Sequence, residues 1–353
     1  MVRLALRVAL LLLILILLFH KVYGQKPQLK FHHHTFKIVQ ITDTHIRPNN
    51  SASLGAVENI NSALDAEKPD LVVYTGDIVT ARPVCKGWQM ILQPCIDRKI
   101  PYAVVLGNHD DEHGVSRSEL AEWIANMPFS LMVPKTEGVT GNGNYALRIM
   151  SSDSTATSAL LYCMDSNSYS TMERIGGYGW FNNDQIEWYR KESRELKKET
   201  GYLCPALAFF HIPLPEYKLA YCNMDSPSVG IRKESESSPM INTGMFRTMV
   251  EAGDVMATFV GHDHNNDYIA YMDGIALGYG RFSGGRTTYG ALDCGVRVIY
   301  LKEGRRSFNT WIRTGAGEIL NPVNYPSDFQ DDKKIVSLPH LEAGSEYQTL
   351  LVK

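Results

Sequence analysis

His262 and His264 stand two residues apart in Gly261-His-Asp-His, directly after the apolar run Thr258-Phe-Val. β-Branched and aromatic residues mark that run as the end of a buried strand. In extended backbone, positions i and i+2 point the same way, so both imidazoles can face one point. Imidazole is the commonest metal-donating side chain. The arrangement recurs: Asp43 and His45 follow the β-rich stretch 36–42, and Asp77 follows 71–75. Asn108 and His109 follow 101–106, and His211 follows 206–210. Five strand ends therefore carry metal-donor residue types.

The elements between them explain how such distant residues meet. Residues 54–66 place Val57, Ile60 and Leu64 on one helical face, and 84–98 reads as a second helix. Strand, helix, strand, helix, strand over 36–106 predicts βαβ units and a largely parallel sheet, whose carboxyl strand ends are where sites form. Helices are expected over 116–126, 183–198 and 244–251; Asn182 and Gln185 have capping-box spacing. Residues 145–150 and 159–164 read as neighbouring strands, and 268–279, 295–301 and 308–313 as antiparallel ones. The stretch 214–239 has no period and is expected to form a loop over the site. After Thr314 the pattern fades, and 321–353 has no readable fold. The tract 32–34 reads as an exposed polar turn.

The donor mix suits zinc, iron or manganese rather than calcium. Two ions roughly 3.5–4 Å apart need a bridging carboxylate. With Asp43 and Asp77 as the only anionic donors, and Asn108 adding a neutral oxygen, two divalent ions leave a surplus of about two positive charges. That surplus favours a phosphate group and acidifies a bridging water to hydroxide. No cysteine lies in the set, which excludes a structural zinc site.

Asp43-Thr-His, Gly76-Asp, Gly107-Asn-His-Asp, His211-Ile-Pro and Gly261-His-Asp-His, in this order, resemble the calcineurin-like metallophosphoesterase family. Residues 180–188, 211–217 and 261–267 resemble its purple-acid-phosphatase-like branch. The resemblance covers 36–313. It implies a four-layer α/β/β/α sandwich of two mixed sheets flanked by helices, and two metal ions (Fe, Zn or Mn). Asp43, His45, Asp77 and His264 would hold the first metal, with Asp77 bridging; Asn108, His211 and His262 would complete the second. His109 would bind phosphate and protonate the leaving oxygen, with Asp110 orienting it, and Arg281 would be a substrate-side cation. The implied activity is hydrolysis of a small phosphorylated substrate by a metal-bridging hydroxide. A nucleotide pyrophosphatase or phosphodiesterase, and a catalytically silent surface protein, are the alternatives. One departure stands out. Purple enzymes carry a tyrosine at the position of Thr80 and lack the histidine found here as His45, so a non-purple centre is expected.

The formal net charge is −3 over 353 residues. Arg3 and Arg7 precede an apolar run over 8–19, too short to span a membrane comfortably. Residues 1–24 read as a signal peptide, with an uncleaved signal anchor as the alternative, and 25–353 as one domain with a tail from 314. Losing Arg3, Arg7 and Lys21 would take the charge from −3 to −6, against a nucleic-acid or anionic-membrane surface. No stable membrane insertion is expected. Secretion would permit disulfides among six cysteines, with Cys204, Cys222 and Cys294 the better candidates and Cys163 a buried thiol. It would also permit glycosylation at Asn49.

Overall fold

The computed structural model describes residues 26–223 and 226–329. The expected leader and the end of the tail lie outside the described residues. Strands β2 (Thr35–Ile41), β3 (Leu71–Thr75) and β4 (Tyr102–Val105) are parallel neighbours joined through helices α1 (Leu54–Glu67) and α2 (Val84–Arg98). β3 and β4 are buried at every position, as continuous apolar runs covered on both faces must be. Three antiparallel strands extend this sheet beside β2: β11 (Gly295–Lys302), β12 (Phe308–Thr314) and β13 (Ile319–Tyr325).

The second sheet has seven strands. From one edge they are β1 (Leu29–Lys30), β5 (Tyr145–Met150), β6 (Thr157–Cys163), β7 (Ala206–Phe209), β8 (Val255–Val260), β10 (Ile275–Tyr279) and β9 (Ile269–Met272). β6, β7, β8 and β10 run parallel, while β5 and β9 run antiparallel to their partners β6 and β10. The two-residue period sends alternate side chains to opposite faces. Leu161, Phe209 and Phe259 join the core shared with the six-stranded sheet. Leu160, Tyr162, Ala208 and Val260 instead meet helices α4 (Asn183–Thr200) and α6 (Met245–Ala252). With α1 and α2 on the far side, these make the expected four layers. α3 (Arg117–Ala125) opens on a capping box of Ser116 and Glu119, and the Asn182 N–H donates to Gln185 Oε1 at 2.9 Å before α4. No helix of the described residues is long and apolar enough to cross a membrane.

Three expectations change. β13 lies where no fold was readable: Pro322 interrupts its pattern, and the strand tolerates a proline because it is an edge. The loop 214–239 contains a short helix, α5 (Glu216–Tyr221), and is tied to β9 through a Val229–Ile269 bridge. All six cysteines are free. Cys204 is buried and its thiol donates to the Thr157 carbonyl at 3.4 Å, while Cys163 is the buried thiol expected.

Candidate metal centre

The loops after β2, β3, β4, β7 and β8 meet at one edge of the two packed sheets. Asp43, His45, Asp77 and His262 all have positive φ, of 54°, 44°, 54° and 80°. Non-glycine residues seldom take this conformation, and such strain gathers where side chains must be held in place. Here it turns the chain inward just past the strand ends. A Cβ at Gly107 would overlap the Asp77 carboxylate, and one at Gly261 would overlap Thr42 Oγ1, so the glycines of these motifs allow the loops to touch.

Donor atoms of Asp43, His45 and His264 lie within 4.8 Å of one another, and so do those of Asp77, His211 and His262. Asp77 Oδ2 lies 3.1 Å from His211 Nε2 and 3.9 Å from His45 Nε2, so this oxygen faces both groups. His264 Nε2 is 3.6 Å from Asp43 Oδ1. All six residues are buried, as is Asn108. Yet, among the described residues, His45 Nε2, both ring nitrogens of His262 and Asn108 Oδ1 complete no hydrogen bond, and His211 Nε2 meets only the Asp77 carboxylate. Buried polar atoms are normally satisfied. Four orphaned polar atoms and one imidazole nitrogen held only by a carboxylate, gathered around Asp43 and Asp77, fit a pair of cations.

The electrostatics agree. Burial pushes His45 down to about 4 and His262 to about 3, so each is neutral at pH 7 with a lone pair to give. Burial also opposes charge on Asp77 and His211, but their mutual attraction prevails, holding Asp77 well below the carboxylate range and raising His211 to about 9. The carboxylates thus demand positive charge, which metal ions would supply by displacing protons. His211 Nδ1 lies 2.7 Å from the Thr75 carbonyl and His264 Nδ1 2.8 Å from that of Tyr289, contacts that direct each Nε2 inward.

A cavity of about 400 Å³ opens onto His45, Asp77, His262 and His264 and is bounded by His109, Arg47, Glu112, Tyr178 and Tyr289. Two assignments need correction. Asp110 does not reach the His109 ring. It is fully buried and accepts from the backbone N–H groups of Gly107, Asp77, Ile78 and Val79, locking two of the loops together. The carboxylate beside His109 is Glu112, 2.7 Å from Nδ1. Arg281 is not on the substrate side. It is 2% exposed, ion-paired to Asp267 and bonded to the Asp293 carbonyl, so a buried carboxylate has claimed it. The arginine that lines the cavity is Arg47, exposed and without an ion pair among the described residues.

Sequence reading missed Glu112, Tyr169 and Tyr178. Glu112 follows His109 by three residues in a turn, a spacing that could have been noticed. The tyrosines sit in a loop over 168–179, and no local period foretells that it folds onto Asn108 and His262.

Residues 36–266 match the family model described as calcineurin-like phosphoesterase. Probable inactive purple acid phosphatase 29 of Arabidopsis thaliana is 33% identical over 290 residues, 73% of this chain and 74% of that protein. Phosphatase DCR2 of Saccharomyces cerevisiae is 33% identical over 314 residues, 79% of this chain and 53% of that protein. A dimetal phosphatase from Danio rerio has the same fold at a TM-score of 0.55 and 12% identity, over 82% of this chain and 98% of that one.

Proposed function

The chain belongs to the calcineurin-like phosphoesterase family, and from that premise we propose that it is a working dimetal phosphoester hydrolase. The observation that carries this reading is the set of buried, unsatisfied donors around two carboxylates. Asp43, His45 and His264 would hold one ion. His211, His262 and Asn108 would hold the other, with Asp77 between them. Bound there, two ions would supply positive charge that draws phosphate oxygens and eases the deprotonation of water to a nucleophile.

The remaining chemistry belongs to the chain. His109 lines the cavity with Nδ1 beside Glu112, which leaves Nε2 to donate a proton to the leaving oxygen. Arg47 offers a guanidinium to phosphate oxygens. Tyr178 and Tyr289 wall the opening. The apolar leader at 8–19 supports delivery to the secretory route, with the mature chain starting near Gln25.

A second reading is a silent scaffold, favoured by the word "inactive" in a relative's name. Against it, every expected donor position here is filled. Elemental analysis of the purified protein, followed by paired assays on a phosphate monoester and diester with added Mn, Zn or Fe, separates the readings. Two ions with turnover support the enzyme; ions without turnover on either substrate support the scaffold; no ions overturn both the centre and the enzyme.

A further inference from the structure

Asn108 is gripped at two points by the loop over 168–179. Ser168 Oγ donates to its backbone carbonyl at 3.2 Å, and its Nδ2 lies 3.0 Å from the Tyr169 hydroxyl. The loop holds its own shape. Ser170 N–H donates to Gly177 O at 2.9 Å, Gly179 N–H donates to Ser168 O at 2.8 Å, and Tyr169 stacks on Tyr178 with centroids 5.8 Å apart. On its other side the Tyr169 hydroxyl lies 2.8 Å from Glu112 Oε1. Glu112 Oε2 in turn lies 2.7 Å from His109 Nδ1.

An asparagine has one end that can serve a cation and one that cannot. A phenol can accept from the NH₂ end or donate to the oxygen end, so Tyr169 alone would not select between them. Glu112 selects. A carboxylate only accepts, so it takes the single phenolic proton. The phenol then has only lone pairs to offer Asn108, and the NH₂ end must face it. Oδ1 is thereby turned inward, where it is buried and without a hydrogen-bond donor. The second oxygen of Glu112 applies the same rule to His109: Nδ1 carries the hydrogen, and Nε2 is the nitrogen left for the cavity.

We propose that Tyr169 and Glu112 are positioning residues, a polarity lock that presents Asn108 Oδ1 as a metal donor and fixes which nitrogen His109 offers. The proposal rests on the dimetal reading of the centre. In this arrangement the loop over 168–179, which follows a strand of one sheet, orients a donor that follows a strand of the other.

The test is metal affinity, measured by chelator competition with Mn and Zn on the full chain. Tyr169→Phe is expected to weaken one of two ions by roughly 10–100-fold, the usual cost of losing a group that orients a ligand, and to leave the other unchanged. Glu112→Leu removes the acceptor that fixes the phenolic proton, so it should weaken the same ion. Asn108→Asp supplies the rescue. With oxygens at both ends no orientation needs choosing, and adding Tyr169→Phe to Asn108→Asp should cost no further affinity. Tyr169 is 44% exposed, so its substitution opens no core, and thermal unfolding of the metal-free forms checks this. If Tyr169→Phe does unfold, Glu112→Leu carries the test by itself. Two ions held as tightly in Tyr169→Phe or Glu112→Leu as in wild type overturn the lock. So does an equal loss from Tyr169→Phe with Asn or Asp at position 108. A wild-type protein that binds no ion overturns the dimetal reading instead.

Discussion

The two sheets do not contribute alike to the centre. The six-stranded sheet supplies Asp43, His45, Asp77 and Asn108 from the ends of β2, β3 and β4. The seven-stranded sheet supplies His211, His262 and His264 from the ends of β7 and β8. Both carboxylates come from one side, and the other gives only imidazole. Yet each cluster of donors draws on both. The acid side alone would bury two like charges, which is costly without compensation. The imidazole side alone would be a set of buried neutral rings. Only docking completes the site, and the docking is itself bonded: the Asp43 carboxylate accepts the His262 N–H at 3.0 Å, and Gln40 Nε2 donates to the Val260 carbonyl at 2.9 Å.

The most severe break is therefore expected on the acid side. Asp77→Asn should empty both positions, because its Oδ2 faces His211 and His45 and a neutral amide cannot offset two cations. Activity should fall by more than the ~10²–10⁴ that loss of a general acid costs. His262→Ala, on the imidazole side, should cost one ion and spare the other. Metal counts by elemental analysis decide. Two ions retained in Asp77→Asn would remove the central role of this carboxylate, and equal counts in the two variants would erase the asymmetry.

His109 tests whether a residue of the acid side can matter without donating. His109→Ala should keep both ions and lower kcat roughly 10²–10⁴-fold on an alkyl phosphate. The loss should shrink on an activated aryl phosphate, whose leaving group needs no proton. An equal loss on both would leave His109 as a phosphate-binding group only.

How far this asymmetry could be read from sequence depends on the range of the forces involved. The donors were legible because each follows a strand, and strand period with βαβ order sends strand ends to one edge. The helices were legible from their own apolar faces. What failed was identity by neighbourhood. Asp110 adjoins His109 in sequence, but the left-handed turn at Asp77 presents further N–H groups that claim its carboxylate. Arg281 follows the last donor motif closely in sequence, but the buried Asp267 carboxylate draws its guanidinium into an ion pair away from the cavity. Tyr169 reaches Asn108 across 61 residues of chain, beyond any local pattern.

A smaller effect is expected at the rim. Arg47 is two residues from His45 on the acid side and lines the cavity. Arg47→Ala should raise KM about tenfold, the cost of one charged hydrogen bond to phosphate, and leave metal content unchanged. Steady-state kinetics on one monoester is sufficient, and an unaltered KM would remove Arg47 from substrate binding.

The smallest effect isolates the frame of the acid-bearing sheet from its chemistry. Glu67 ends α1 on the outer face of that sheet and is 3% exposed. It accepts from Trp311 Nε1 at 3.1 Å, Arg313 Nε at 2.7 Å and Lys37 Nζ at 3.2 Å, tying the helix to β12 and β2. Burial pushes its carboxyl up, but these three donors prevail and hold it below the ordinary 4.5. A depressed carboxylate stabilises the fold above its unfolded pKa, and that stability is lost as pH falls through the folded value. Glu67→Gln keeps the shape and removes the charge, so it should cost roughly 1–2 kcal/mol near neutral pH. The gap in thermal stability between wild type and variant should hold from pH 7 down to about 5 and then close as the wild type protonates. Metal content should match throughout, since Glu67 touches no donor loop. A gap that does not narrow at all as pH falls below the ordinary 4.5 would mean that Glu67 acts by the geometry of its hydrogen bonds rather than by charge. A loss of metal would mean instead that the outer face of this sheet transmits its strain to the centre.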